Sequence, residues 1–271
     1  MPNDAAVAFR DLHEQPGCFV IPNPWDRGSA RMLEKLGFKA LATTSAGFDF
    51  VDGRKQQTGT FEDVLTHCRL IAEATPLPVN ADTEDCFAET LDGVAENIRR
   101  IAATGVAGCS IEDVNVYGGD RIYETAAAAE RVTAAAEAAR GLATPFVLTG
   151  RAENLVNGVP DLADTIKRLQ AYQEAGADVL YAPGLKTADD IRSVITSVDR
   201  PVNVLAGIPG MALSVGELAE IGAKRISLGS GLYRVAFGAA LRGAREIAET
   251  GTFSYTAGAA SFAEINDLFE D

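Results

Sequence analysis

The sequence predicts an α/β chain folded as a single (β/α)8 TIM barrel over residues 1–271. Three observations predict it. Eight short apolar runs recur along the chain, a helix-like stretch follows each, and the residues that separate them alternate between proline and glycine. Strands that alternate with helices build a parallel sheet, and eight such units close on themselves. An open doubly wound sheet is the alternative. It would carry a glycine-rich phosphate loop after its first strand, and "PNPWDRGSA" has no GxGxxG.

The first run, "CFVIPNPW" (18–25), leads into "DRGSARMLEKLG", where Asp26 either caps the helix or lines the barrel mouth with Trp25. The second and third are "ALATTSAG" (40–47) and "PVNADTED" (78–85). The fourth, "GVAGCSIED" (105–113), precedes an alanine-rich scaffold helix of high intrinsic propensity. The fifth, "PFVLTGRAEN" (145–154), precedes the clearest helix, "DLADTIKRLQAYQEAG". There Leu162, Ile166, Leu169 and Tyr172 fall at helical spacing, Asp161 is the expected N-cap, and Gly176 the expected exit. The last three are "ADVLYAPGL" (177–185), "PVNVLAG" (201–207) and "RISLGSG" (225–231). Odd-numbered strands follow Pro16, Pro78, Pro145 and Pro201, because a strand's first residue tolerates proline. Even-numbered strands follow Gly37, Gly105, Gly176 and Gly222, where a left-handed residue ends the preceding helix. The pattern is an internal repeat. Residues from about 250 to 271 form a helical extension whose Phe262, Ile265, Leu268 and Phe269 pack on the same barrel or on another subunit.

Composition narrows the function. The net charge is −14, with no cluster of Lys and Arg. That argues against nucleic acid and acidic membranes as partners. No apolar run approaches a membrane span. No basic region followed by an apolar one opens the chain, so a signal peptide is not expected, and the cytoplasm is the expected compartment. Cys18, Cys68, Cys86 and Cys109 read as reduced thiols. With only His13 and His67, a three-histidine zinc site is impossible. Neither histidine is expected at the site.

Each strand begins apolar and ends polar, and barrel enzymes place their chemistry at those C-terminal ends. Side chains alternate along a strand. Asn80, Asp82 and Glu84 therefore share the mouth-facing side, as do Ser110 with Glu112, and Thr149 with Arg151 and Glu153. Converging carboxylates need a counter-charge. Either Arg151 closes an internal salt-bridge cluster, or Asp82 and Glu112 hold a divalent cation. Oxygen ligands without Cys or His suit Mg²⁺, with Mn²⁺ as the alternative.

These residues carry a resemblance. "VIPNPWDRGSARMLEKLGFKALATTSAG", "PVNADTE", "GVAGCSIED", the Arg of "LTGRAEN" and "ELAEIGAKRISLGSGL" resemble the isocitrate lyase/phosphoenolpyruvate mutase superfamily, from about residue 18 to 240. The resemblance implies a phosphoenolpyruvate/pyruvate-type barrel with C-terminal helices swapped between subunits of a homodimer or homotetramer. It implies a Mg²⁺ site at Asp82 and Glu112. Ser45, Ala46 and Gly47 would hold a substrate carboxylate, with Asn203 and Arg151 as further binding groups. Arg151 and Glu112 would act in catalysis. The implied partner is a small carboxylic acid. The implied reaction is Mg²⁺-dependent carbon–carbon cleavage of a 2-oxo or 2-hydroxy (di)carboxylic acid through a metal-stabilised enolate.

Departures from the family pattern matter. Asn80 stands where many members have an aspartate, and Gln56 where an outer acid is expected. The loop "EDVNVYGGDRIYE" lacks both the Lys-x-Cys-Gly of the lyases and the Lys-x-Asn-Ser of the phosphonate branch. Strand six ends "YAPGL" where the lyases have a glutamate. Three alternatives follow: decarboxylation of an oxaloacetate-like acid, phosphonate mutase or hydrolase chemistry, and a non-catalytic barrel that binds 2-oxo acids. Tyr117 and Tyr123 flank a glycine pair that permits a lid hinge. Lys186 is read as solvated, and Cys86 and Cys109 as bystanders.

Overall fold

The computed structural model describes residues 2–117 and 121–270. The hinge expected at Gly118 and Gly119 lies outside them. The elements run α1 (Pro2–Glu14), β1 (Phe19–Ile21), α2 (Arg27–Lys35), β2 (Leu41–Ala42), α3 (Ser45–Val51), α4 (Phe61–Ala72) and β3 (Val79–Asp82). Then come α5 (Leu91–Ala102), β4 (Gly108–Glu112), α6 (Thr125–Arg140), β5 (Val147–Arg151), α7 (Leu162–Glu174) and β6 (Val179–Tyr181). The chain closes with α8 (Ala188–Thr196), β7 (Val202–Leu205), α9 (Val215–Ile221), β8 (Arg225–Ser227), α10 (Gly231–Thr250) and α11 (Phe262–Asp267). The eight strands are all parallel, in the order β1-β8-β7-β6-β5-β4-β3-β2. At the seam the Ala42 N–H donates to the Pro22 carbonyl at 3.0 Å, bringing the first and last strands of that order together. The architecture is the (β/α)8 barrel. Helices α1, α3 and α11 are additions to the alternation.

The local rules explain the boundaries. Asp161 caps α7 by accepting from the N–H groups of Ala163 and Asp164. Asp26 caps α2 in a reciprocal pair with Ser29, so it serves the helix. Gly176 and Gly222 leave their helices with φ of 103° and 106°, a conformation in which a Cβ would be strained. The strands are shorter than the apolar runs. Asp82, Glu112, Arg151 and Ser227 are the last residues of their strands, whereas Glu84 and Glu153 lie beyond the ladder and Ser45 opens α3 rather than ending β2.

Two packed layers fix the barrel. Outward-facing Ala81, Cys109, Ile111, Leu148, Leu180 and Ile226 form the sheet–helix core. Inward, the bottom is plugged by Phe9 of α1 against Phe19, Ile21, Ala107, Val147 and Val179. Gly108 makes room for this plug, because a Cβ there would lie 2.4 Å from the Val147 carbonyl oxygen and 3.0 Å from the Phe9 ring. Above the plug, β5 continues inward with Thr149 and then Arg151. The same face that is apolar at the base turns polar at the mouth.

No helix among the described residues is long and apolar enough to cross a membrane. All four cysteines are free. On α10 only Tyr233 and Gly243 are buried, while Val235, Phe237 and Leu241 are exposed. The chain end folds back on α2, where the Arg31 guanidinium and the Lys35 ammonium donate to the carbonyls of Phe269 and Glu270.

Candidate active site

Arg151, at the end of β5, organises the mouth. Its Nη1 lies 2.7 Å from Glu112 Oε1 and 3.3 Å from Asp82 Oδ1, and its Nε lies 2.5 Å from Glu153 Oε1. The guanidinium carbon sits 4.9 Å from the centre of the Tyr181 ring. Burial works against the charge on this arginine, but Glu112 and Glu153 outweigh it and hold its pKa well above the ordinary value. Asp82 is held from its other side. The Ser45 N–H and hydroxyl both donate to Asp82 Oδ2, at 2.9 and 3.0 Å. The Asp82 N–H donates to Thr43 Oγ1 at 2.8 Å, which fixes the end of β3.

Two acids of the mouth, Glu112 and Glu84, are pushed toward their neutral forms. Glu112 is buried, and burial drives its pKa up; Arg151 opposes this, and Glu153, Asp82 and Glu84 add to it. Glu84 is raised to about 8, by burial first and then by Asp82 and Asp85. Its backbone is left-handed, with φ of 48°. The expected common face of Asn80, Asp82 and Glu84 therefore extends only through Asp82. β3 ends there, and the chain turns. Asp113 does not face the mouth either. It accepts from the Tyr172 hydroxyl, from Arg168 and from the Glu153 N–H, as a buried brace between β4 and α7.

A cavity of ≈ 180 Å³ opens at the C-terminal ends of the strands. Of the residues anticipated from sequence, Ser45, Ala46, Asp82, Arg151 and Asn203 line it together. Glu112 lies behind Arg151 and Gly47 outside the lining, its N–H donating to Thr44 Oγ1 at 3.3 Å. Gln56 is exposed beside α10, and Lys186 is exposed too. Trp25 meets the Tyr233 ring edge-on. The base of the loop after β4 is pinned by an antiparallel bridge between Val114 and Ile122, and the Arg131 guanidinium packs over the Tyr123 ring.

Tyr181 and Arg225 are among the lining residues that went unanticipated. Tyr181 ends β6 beneath Arg151. Arg225 begins β8, and its Nε donates to Asn203 Oδ1 at 2.9 Å. Asn203 Nδ2 then donates to Ser227 Oγ at 2.9 Å. Alternation about the outward Ile226 would have pointed both Arg225 and Ser227 inward. His13, set aside in the sequence, touches Arg225 at 3.3 Å from the floor side.

The oxygen set bears on a metal. Asn80 lines the cavity, its Nδ2 donates to the Ala81 carbonyl, and its Oδ1 is buried with no partner among the described residues. That amide oxygen and Asp82 are hard oxygen donors lining the cavity, and the Glu112 carboxylate stands behind Arg151. Among the described residues no three His, Cys, Asp or Glu side chains gather as a metal cage. Asn80, Asp82 and Glu112 offer oxygen donors only, the donor type that suits a hard cation such as Mg²⁺.

The model for the phosphoenolpyruvate phosphomutase family matches residues 9–248. The chain belongs to this family, within the isocitrate lyase/PEP mutase superfamily. It is 28% identical over 260 residues to a Corynebacterium glutamicum protein named as a probable 2-methylisocitrate lyase, covering 92% of this chain and 83% of that one. It is 27% identical over 215 residues to an oxaloacetate decarboxylase of Bradyrhizobium diazoefficiens, covering 75% and 73%. Among solved structures, a Burkholderia cenocepacia protein described only as a lyase or mutase superposes with a TM-score of 0.96 at 48% identity, covering 100% of this chain and 97% of that one. These two curated relatives carry different chemistries at nearly equal identity to this chain.

Proposed function

We propose that the protein is a Mg²⁺-dependent carbon–carbon lyase acting on a small 2-oxo or 2-hydroxy (di)carboxylic acid. The observation that carries this reading is the cavity at the strand ends. There Asp82 is clamped between Ser45 and Arg151, beside the unpartnered Asn80 Oδ1. Asp82, Glu112 and Asn80 would hold the cation. When bound, Mg²⁺ supplies Lewis acidity toward a 2-oxo or 2-hydroxy oxygen. Arg151 sits where negative charge develops as the bond next to the enolate breaks, and a preorganised cation there favours the transition state over the ground state. Arg225 occupies the Asn203 oxygen and Ser227 accepts from Nδ2, which leaves one amide N–H of Asn203 for a ligand. The Tyr181 phenol, pushed up to about 12 by burial, stays protonated and neutral under the guanidinium.

A second reading is decarboxylation of an oxaloacetate-like acid, with water protonating the enolate. One observation favours it: no thiol reaches the cavity. Cys68, Cys86 and Cys109 are fully buried, and burial raises the Cys68 thiol to about 12. The oxaloacetate decarboxylase among the relatives supports it as well. A homodimer or homotetramer is proposed on the exposed apolar side of α10, with Val235 at 69% and Phe237 at 56% exposure.

A panel of 2-oxo and 2-hydroxy acids, followed by release of pyruvate, glyoxylate or CO₂ with and without Mg²⁺, tests the function. The expected result is metal-stimulated turnover that Asp82→Ala abolishes. Turnover unchanged by chelation, or by Asp82→Ala, sinks the reading. Stabilisation by oxalate without turnover of any acid points instead to a non-catalytic binder.

A further inference from the structure

Two guanidinium groups line the cavity, and their surroundings differ. Arg151 touches three carboxylates. Arg225 is buried and touches none among the described residues. Its partners are Asn203 Oδ1 at 2.9 Å, Thr149 Oγ1 at 3.0 Å and His13 Nε2 at 3.3 Å. All three are neutral. His13 Nδ1 lies 2.8 Å from the Phe9 carbonyl oxygen. A carbonyl only accepts, so Nδ1 carries the proton and Nε2 turns its lone pair to the arginine. Protonating Nε2 would set cation against cation, and burial first, then Arg225, lowers the His13 pKa to about 3.

A guanidinium has five N–H donors. Three nitrogen–acceptor contacts occupy three of them, which leaves two without a protein acceptor among the described residues. Asp82 is the carboxylate that lines the cavity, and Ser45 and Arg151 already engage it. The ionisable neighbour that bears on Arg225 is the neutral Tyr181 phenol. A buried cation without a counter-charge is strongly disfavoured in water's absence. Such a charge is tolerable at the floor of a binding cavity when the ligand brings the anion.

We propose that Arg225 is a specificity-determining residue of this cavity, taking a second anionic group of the ligand at the barrel floor and so selecting dianionic acids over monoanionic ones of equal size. The inference rests on the reading of the cavity as a site for small carboxylic acids. It adds a residue to that reading and explains why α1 reaches the site: His13 holds the guanidinium from below without neutralising it. A short dicarboxylate suits a cavity of ≈ 180 Å³.

The test is calorimetric titration of the full chain in Mg²⁺ buffer with malate and with 2-hydroxybutyrate, which replaces the second carboxylate by a methyl group. The wild type is expected to prefer malate at least tenfold. Arg225→Met is expected to lose that preference while binding 2-hydroxybutyrate within about threefold of wild type. Arg225→Gln, which keeps a hydrogen-bonding head toward Asn203 and Thr149, serves if the methionine variant does not fold, and the same loss is expected. Retained malate preference in the neutral variants overturns the proposal. So does an equal loss of both ligands, which would mark Arg225 as a structural support only. If the wild type binds neither acid, the reading of the cavity itself falls. If it binds malate and the variants bind it as tightly, this inference alone falls.

Discussion

The two ends of the barrel are built from the same strands and solve opposite problems. At the base, Phe9 fills the bore among Phe19, Val147 and Val179, and stability comes from area removed from water. At the mouth, four residues further along β5 from Val147, Arg151 stands among Asp82, Glu112 and Glu153, and stability depends on charges cancelling. The difference teaches where change is tolerated. An apolar plug loses stability in proportion to what is removed. A charge cluster loses far more when one member goes, because the remaining charges stay buried without partners.

Arg151→Met should show the largest effect. Three carboxylates lose their cation, so a stability loss of about 3–5 kcal/mol is expected by urea denaturation. Turnover should fall by on the order of 10²–10³-fold, the usual cost of deleting a charge that meets the developing negative charge. Phe9→Ala should cost a similar 3–5 kcal/mol, roughly the cavity-forming range for a buried phenylalanine. Its turnover per folded molecule should stay within about threefold of wild type. A Phe9→Ala enzyme that folds yet loses activity as Arg151→Met does would erase the division between the two ends.

His13 bridges the ends, and its titration sharpens the comparison. Its pKa falls from 6.5 to about 3 in the folded chain, through burial first and then through Arg225. The unfolded chain therefore binds the proton more readily. The contribution of neutral His13 is fully present above about pH 6.5 and is lost as the pH falls toward 3. Between pH 7.5 and pH 5 this amounts to roughly 2 kcal/mol. Wild type and His13→Asn, compared by urea denaturation at both pH values, should differ by less at pH 5. A constant difference across that range would remove His13 from the account.

Much of this was legible in the sequence, for reasons that differ by residue. Gly176 and Gly222 announced helix ends because only a left-handed exit suits them there. Asn80 and Asp82 could be placed on one face because a period of two holds as long as a strand lasts. Glu84 broke that inference, since the ladder stops at Asp82 and a left-handed turn carries Glu84 off the common face. Ser45 was recognisable as a site residue, but its role as partner of Asp82 depends on α3 starting there, which a two-residue β2 forces. The contact between Arg225 and His13 was hidden for another reason. They meet across 212 positions of sequence, and only closure of the barrel over α1 brings them together.

Asn80 is the smallest expected effect and the most informative about the mouth. Its Oδ1 is buried and unpartnered beside a carboxylate already held by Ser45 and Arg151. If that oxygen faces a cation, restoring a charge at the position should strengthen the site, because charge count is one of the main controls on affinity for hard cations. Asn80→Asp is therefore expected to bind Mg²⁺ several-fold more tightly by calorimetry. Without metal it should lose roughly 1 kcal/mol of stability, since a second carboxylate then crowds Asp82. The two effects have opposite signs, so added Mg²⁺ should reverse the order of the melting temperatures of variant and wild type. An internal salt-bridge cluster without a metal predicts something else: the extra carboxylate would compete for Arg151, and Mg²⁺ would leave the order unchanged. The crossing of the two melting curves with metal thus separates a mouth built around a cation from one closed by Arg151 alone.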